Sequence, residues 1–221
     1  MKISILIPST DRADRLCQTL ASVFETTRGF SAEMVCSLSA TDHESLSLVA
    51  GMPVVVTARH AGLTGAVKAW NEAAAVCTGD VLVMIGDDVI CQPDWLKHAL
   101  DSLTRLGDGV VGMNDLGRKD GHRFATHVVT TRRYCQDHNG GVLLCPAYVH
   151  YFPDIEICER ATALGLYVFN PNAQIDHQHH LFGKTDGDHV YQWALTYYDK
   201  DHATYDRRKA AGFPDDYKAI L

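Results

Sequence analysis

Up to about residue 105 the chain repeats one unit: a short apolar run, then a segment whose apolar residues recur at helical spacing. Residues 3–7 form the first run, which stops at Pro8, and Leu16, Leu20, Val23 and Phe24 follow at helical intervals. Residues 34–38 and 54–57 read as further short buried strands. Residues 65–77 carry Val67, Trp70, Ala74 and Cys77 on one helical face and end at Thr78 and Gly79. Residues 81–85 are the next strand, and Pro93 and Asp94 open a helix that buries Leu96, Leu100 and Leu103.

This alternation predicts a single α/β domain, a Rossmann-like, mostly parallel sheet flanked by helices. In such sheets ligands bind beyond the carboxyl ends of the strands. Residues 8–12, 37–42 and 86–88 then share one rim. After residue 105 the pattern loosens. Residues 107–139 are polar and basic in patches (Arg118, Lys119, Arg123, Arg132, Arg133) and match neither period. Residues 140–145 read as a strand after a Gly-Gly turn, 153–164 as a helix and 167–170 as a strand. The aromatic segment 190–198 reads as helical, within a tail rich in His, Asp and Tyr.

Composition narrows the class. With 46% hydrophobic and 21% charged residues the chain reads as an ordinary soluble globular protein. A net charge of -7 argues against a nucleic-acid surface, which needs a basic face. No apolar stretch reaches the roughly 18–20 residues of a membrane span. The opening apolar run ends too soon, at Pro8, for a signal peptide. Seven scattered cysteines without a CxxC pair predict reduced thiols and a cytoplasmic setting.

The run 81–85 ends in Gly86, Asp87 and Asp88. Neighbouring strand side chains point to opposite faces, so both aspartates reach one place only if the chain turns, which Gly86 permits. Two adjacent carboxylates repel and raise each other's pKa. A divalent ion such as Mg²⁺ or Mn²⁺ relieves that repulsion, and solvation in a strand-to-helix loop is the alternative.

Taken with its neighbours, this motif resembles the family 2 glycosyltransferases of GT-A fold, over roughly residues 1–180. The likeness rests on five stretches in order: 3-ISILIPSTDRADRLCQTLAS-22, 60-HAGLTGAVKAWNEAAAVCTGDVLVMIGDDV-89, 140-GGVLLCPA-147, 151-YFPDIEICERATALGLYV-168 and 171-PNAQIDHQHH-180. It implies a donor half (1–105), an acceptor half (106–180) and a C-terminal helical extension (181–221) packed on them.

The resemblance implies a hexosyltransferase-like enzyme that moves a sugar from a nucleotide diphosphate, UDP favoured, to an acceptor hydroxyl with inversion. Asp88 would hold Mn²⁺ or Mg²⁺, with His177 completing the shell and His179 on the same side. The ion would stabilise the departing diphosphate. Asp87 would lie near the ribose or donor sugar. Asp154 aligns with the family's catalytic Asp and would be the base, with Glu156 second; Pro153 and Asp154 also suit a helix start. Pro8, Ser9, Thr10, Asp11 and Arg12 would contact the nucleotide, Arg12 facing phosphate or locking the loop. His60 and Lys68 lie in the segment that passes over the donor, Lys68 meeting a phosphate or solvent. Gly140 and Gly141 would let a sugar approach closely.

Three positions depart from the family pattern. Gly86 stands where the first acid of the metal motif is usual, Ser37 where an Asp reads the nucleobase, and Pro153 where a Glu precedes the catalytic Asp. They define the alternative, a nucleotide-sugar- or glycan-binding protein of the same fold without turnover. A phosphotransferase reading lacks its G-x-x-x-x-G-K-[ST] loop, and a zinc site lacks a second His/Cys cluster of ligand spacing. The acceptor stays open among a glycan, a lipid-linked sugar, a protein and modified DNA.

Overall fold

The computed structural model describes residues 1–118 and 124–217, the side chain of Arg59 excepted. Lys119 and Arg123 therefore lie outside the described residues.

The donor half alternates as its sequence predicts. It runs β1 (Ile3–Ser9), α1 (Ala13–Thr26), β2 (Ala32–Ser39), α2 (His43–Val49), β3 (Val54–His60), α3 (Ala66–Val76), β4 (Val81–Met84), β5 (Val89–Cys91) and α4 (Trp95–Leu106). The rest comprises β6 (Val110–Asn114), β7 (Val128–Thr131), α5 (Arg132–His138), α6 (Pro153–Ala163), β8 (Tyr167–His177), α7 (His189–Leu195) and α8 (Tyr198–Ala210).

These strands form one eight-stranded mixed sheet in the order β3-β2-β1-β4-β7-β6-β8-β5. The first four are parallel, β7 runs against both β4 and β6, β8 is parallel to β6, and β5 is antiparallel to β8. Six strands thus share a direction, as a mostly parallel sheet requires. Alternate residues of β1 feed two cores, which is why its run is apolar throughout. Ile3, Ile5 and Ile7 pack with Leu16 and Leu20 of α1 and Trp95 of α4. Leu6 packs on the other face with Val67 and Trp70 of α3 and Ile157 of α6. Each buried aliphatic or aromatic side chain contributes about 1.5–3 kcal/mol against exposure.

Two expectations change here. Residues 140–145 form turns and bends, not a strand. Gly140 and Gly141 both take left-handed φ, 61° and 82°, which no strand accommodates, and a Cβ at Gly140 would sit 1.9 Å from the Tyr217 ring of the tail. The segment 107–139, unreadable by period, holds β6, β7 and α5, whose strands are only five and four residues long.

The tail is tied to the body by buried charge. Asp201 of α8 is fully buried and accepts the backbone N–H groups of Val149, His150 and Tyr151 at 2.8–3.2 Å. Arg208 donates to both Glu156 oxygens, at 2.9 and 3.0 Å. Among the described residues no helix is long and apolar enough to cross a membrane.

Candidate active site

One cleft opens at the carboxyl end of β1 and β4, and Pro8, Gly86, Asp88 and Asp154 all line it. Its cavity volume is about 220 Å³, and it is open to solvent at the mouth.

Strand register explains which side chains meet there. Antiparallel pairing sets Met84 opposite Val128, so His127 emerges beside the residues that follow Met84. Val89 pairs with His177, which brings His177 next to Asp88. The turn between β4 and β5 then directs both aspartates into the cleft.

The two acids have different partners. Asp87 accepts from Ser9 Oγ at 2.8 Å and faces Arg12 Nη1 at 3.2 Å. Burial pushes it up to about 6, against the pull of Arg12. Asp88 has His177 Nε2 3.3 Å from Oδ1 and the Tyr191 hydroxyl 2.6 Å from Oδ2. Burial would raise it too, but His177, Tyr191 and Arg12 hold it well below the usual carboxylate range. Asp88 is therefore the member that keeps its charge.

Arg12 bridges the front of the site. It donates to Asp188 through Nε and Nη2 at 2.9 and 2.7 Å and lies 4.1 Å over the Tyr191 ring. Burial opposes its charge, yet Asp87 and Asp188 together raise its pKa above the ordinary value. Asp188 also caps α7 by accepting from Val190 and Tyr191 N–H. Its position fixes the tail against the rim.

Asp88, His127 and His177 are all buried, and each offers a ligand atom within 4.8 Å of the others'. His127 and His177 each bury an Nδ1 with no hydrogen-bond partner among the described residues. The nitrogens nearest Asp88 are instead the Nε2 atoms: that of His177 lies 3.3 Å from Oδ1, and that of His127 borders the space beside Gly86. Burial holds His127 neutral, pushed down to about 3. A buried carboxylate beside two imidazoles suits a divalent cation, so the residues fit such an ion.

Asp154 stands in the first turn of α6, after Phe152 in a left-handed conformation (φ 74°) and Pro153. Burial pushes its carboxyl up to about 6, opposed by Arg118 and by backbone N–H donors. A carboxylate titrating there takes a proton readily near neutrality.

Several expected residues lie elsewhere. Glu156 points into the core, where Tyr148, Arg208 and Tyr217 hydrogen-bond it, and does not line the cleft. Ser37 and His60 are both buried and bonded to Glu72 of α3, at 3.4 and 2.6 Å, and neither lines the cleft. Lys68 is on the exposed face of α3. Asp11 takes a left-handed φ of 54°, uses its N–H to bond Asp42, and leaves the cleft to Pro8, Ser9, Thr10 and Arg12. Gly141 borders a separate cavity beside Asn71 and Arg132. The described basic residues of this stretch are engaged: Arg132 with the Gly79 carbonyl, Arg133 with Asp108, Arg118 over Phe124.

Sequence reasoning missed His127, His150, Asp188 and Tyr191. His127 had a faint signal, a lone histidine at the head of the apolar stretch 128–129. The others are brought in by loops and the tail. His150 and His179 line the cleft as neutral imidazoles, both pushed down to about 4 by burial.

Comparison with known proteins agrees with this architecture. A search of curated protein sequences finds no match. Among solved structures, the mannosyltransferase PcManGT from Pyrobaculum calidifontis, in complex with GDP-Man and Mn²⁺, superposes with a TM-score of 0.65 at 15% identity, covering 94% of this chain and 64% of that one. S. aureus TarS 1-349 in complex with UDP-GlcNAc gives 0.64 at 14% identity, covering 86% and 61%. Another structure of S. aureus TarS 1-349 gives 0.59 at 15%, covering 73% and 55%. The chain thus spans less than two thirds of these structures, and the likeness establishes the GT-A fold. The model of glycosyl transferase family 2 matches residues 4–151, well over half of the sequence, and the chain belongs to that family.

Proposed function

We propose that the chain transfers a sugar from a nucleoside diphosphate to an acceptor hydroxyl with inversion, in a reaction dependent on Mn²⁺ or Mg²⁺. The observation that carries this is the shared cleft, which Asp88, His177 and Asp154 all line. Asp88 and His177 would hold the ion. Bound there, it would act as a Lewis acid for the leaving diphosphate.

The chain's own residues supply the rest. Ser9 at the end of β1 and Arg12 after it fix Asp87 in the turn after β4, where a nucleotide would lie. Asp154 accepts the acceptor's proton as the acceptor oxygen bonds the anomeric carbon. The bond from that carbon to the diphosphate oxygen breaks on the opposite face, leaving the electron pair on the diphosphate. The GDP-Man and UDP-GlcNAc held by the structural neighbours support a nucleotide-sugar donor. They do not single out a base. Seven unpaired cysteines, six of them buried, support a cytoplasmic setting.

The test is hydrolysis and transfer across UDP- and GDP-sugars with Mn²⁺, for the unmodified chain, Asp88→Ala and Asp154→Asn. Turnover only in the unmodified chain is expected. Donor binding without turnover in all three would replace this reading with a binding protein.

A further inference from the structure

The metal motif of this chain lacks its usual first acid, and the structure shows what occupies that neighbourhood. A Cβ at Gly86 would meet Asp88 Oδ1 at 2.6 Å and come within 3.6 Å of His127 Nε2. The missing side chain therefore keeps open the space between Asp88 and His127. His127 is 1% exposed, its ring stands edge-on to His177 with centroids 4.7 Å apart, and it offers a ligand nitrogen within 4.8 Å of the ligand atoms of Asp88 and His177. A buried imidazole whose nitrogen shares this space with a carboxylate and a second imidazole is arranged as a ligand.

We propose that His127 is a third protein ligand of the cation, so that the site is an Asp-His-His set selective for Mn²⁺ and later transition ions over Mg²⁺. The inference rests on the metal-dependent reading above. Its physical basis is ligand type. Mg²⁺ prefers oxygen ligands, demands near-ideal octahedral geometry and gives up water reluctantly. Imidazole nitrogen suits the transition ions, with affinity rising from Mn²⁺ towards Cu²⁺. Replacing a carboxylate by a neutral imidazole also removes one negative charge, which weakens attraction for a hard cation more than for one that bonds nitrogen well.

The experiment uses the metal-free full chain, with Mn²⁺ and Mg²⁺ titrated calorimetrically and the Mn²⁺ complex examined by pulsed electron paramagnetic resonance for nitrogen couplings. Couplings from two imidazoles and tighter binding of Mn²⁺ than of Mg²⁺ are expected. His127→Ala should remove one coupling and weaken Mn²⁺ on the order of 10–100-fold, as loss of support around a metal typically does. Mg²⁺ should change little. His127→Gln, which keeps most of the volume, serves if the alanine variant does not fold, and the coupling count in the unmodified chain needs no variant. A single imidazole coupling, or Mg²⁺ bound as tightly as Mn²⁺, overturns the inference and leaves the glycosyltransferase reading standing. No binding of either ion overturns both.

Discussion

Tyr191 donates its hydroxyl to Oδ2 of Asp88 at 2.6 Å, so a residue of α7 holds the carboxylate that ends β4. Arg15 Nη1 donates to the same hydroxyl at 3.0 Å, which makes the tyrosine a relay between a cation and an anion. Hydrogen bonds to charged groups contribute about 1.5–3 kcal/mol. Tyr191→Phe should therefore lower the stability of the metal-free chain by about that amount, seen as a lower urea midpoint with unchanged slope. An unchanged midpoint would show that the tail does not hold Asp88.

Asp154 links activity to pH and stability. Its folded pKa of about 6 lies above the ordinary 3.8, so the folded state binds the proton more tightly. The sign follows directly: the ionised carboxylate destabilises the fold, nothing is lost below 3.8, and the penalty grows through the 3.8–6 window and is complete above it. At about 1.4 kcal/mol per unit it reaches at most ~3 kcal/mol, less because Asp154 opens onto cleft water. Asp154→Asn should abolish transfer yet be more stable than the parent at pH 8, with the gain shrinking towards pH 5. Transfer by the parent should fall as pH drops through about 6. Thermal melts and initial rates across pH 5–8 check both.

Glu156 should behave in the opposite way. Its carboxylate is 1% exposed and joined to Arg208, so neutralising it leaves the buried guanidinium with only the half-exposed Asp216 as counter-charge. Breaking a buried pair from one side costs about 3–5 kcal/mol. Glu156→Gln should lose stability on that scale, while the turnover of each folded molecule at low temperature stays near the parent's. A selective loss of turnover with unchanged melting would return Glu156 to the chemistry.

The contrast between these two acids marks what can be read from sequence. Both sit in the first turn of α6, and two residues on a helix lie roughly 200° apart, so one faces the cleft and the other the core. Spacing alone cannot say which; Arg208, more than fifty residues later, decides it. The centre of the parallel half was legible because β1 and β4 are buried on both faces and close at Pro8 and Gly86, whereas the edge strand β3 exposes Val55 and Val56. His127 was hidden because its place depends on β7 pairing with β4 in antiparallel register, a non-local fact. Gly140 was misread because its true neighbour is Tyr217.

Arg12 sits between Asp87 and Asp188 with its side chain 8% exposed. Arg12→Met leaves Asp87 buried without its cation and should destabilise by about 3–5 kcal/mol. Adding Asp87→Asn removes the uncompensated charge, so the double variant should recover part of that loss. A double-mutant cycle by urea unfolding measures the coupling, and additive effects would show that the pair does not interact.

Gly86 gives the last prediction. Restoring the acid that the family pattern usually carries, by Gly86→Asp, would look like a repair from sequence alone. The structure says otherwise. The new Cβ would start 2.6 Å from Asp88 Oδ1, a carboxylate already held by Tyr191 and His177, and a second negative charge would enter a buried site. Asp88 must rotate or the turn must widen, and either disturbs the approach of Asp88 to His177. Gly86→Asp should therefore weaken Mn²⁺ binding, on the order of 10–100-fold where ligand support is lost. Gly86→Ala, which adds the Cβ without the charge, should weaken it by a smaller factor. Calorimetric titration of both variants separates crowding from charge. Tighter binding in Gly86→Asp would mean that the added carboxylate joins the ion's shell and that the glycine is not needed to keep the site open.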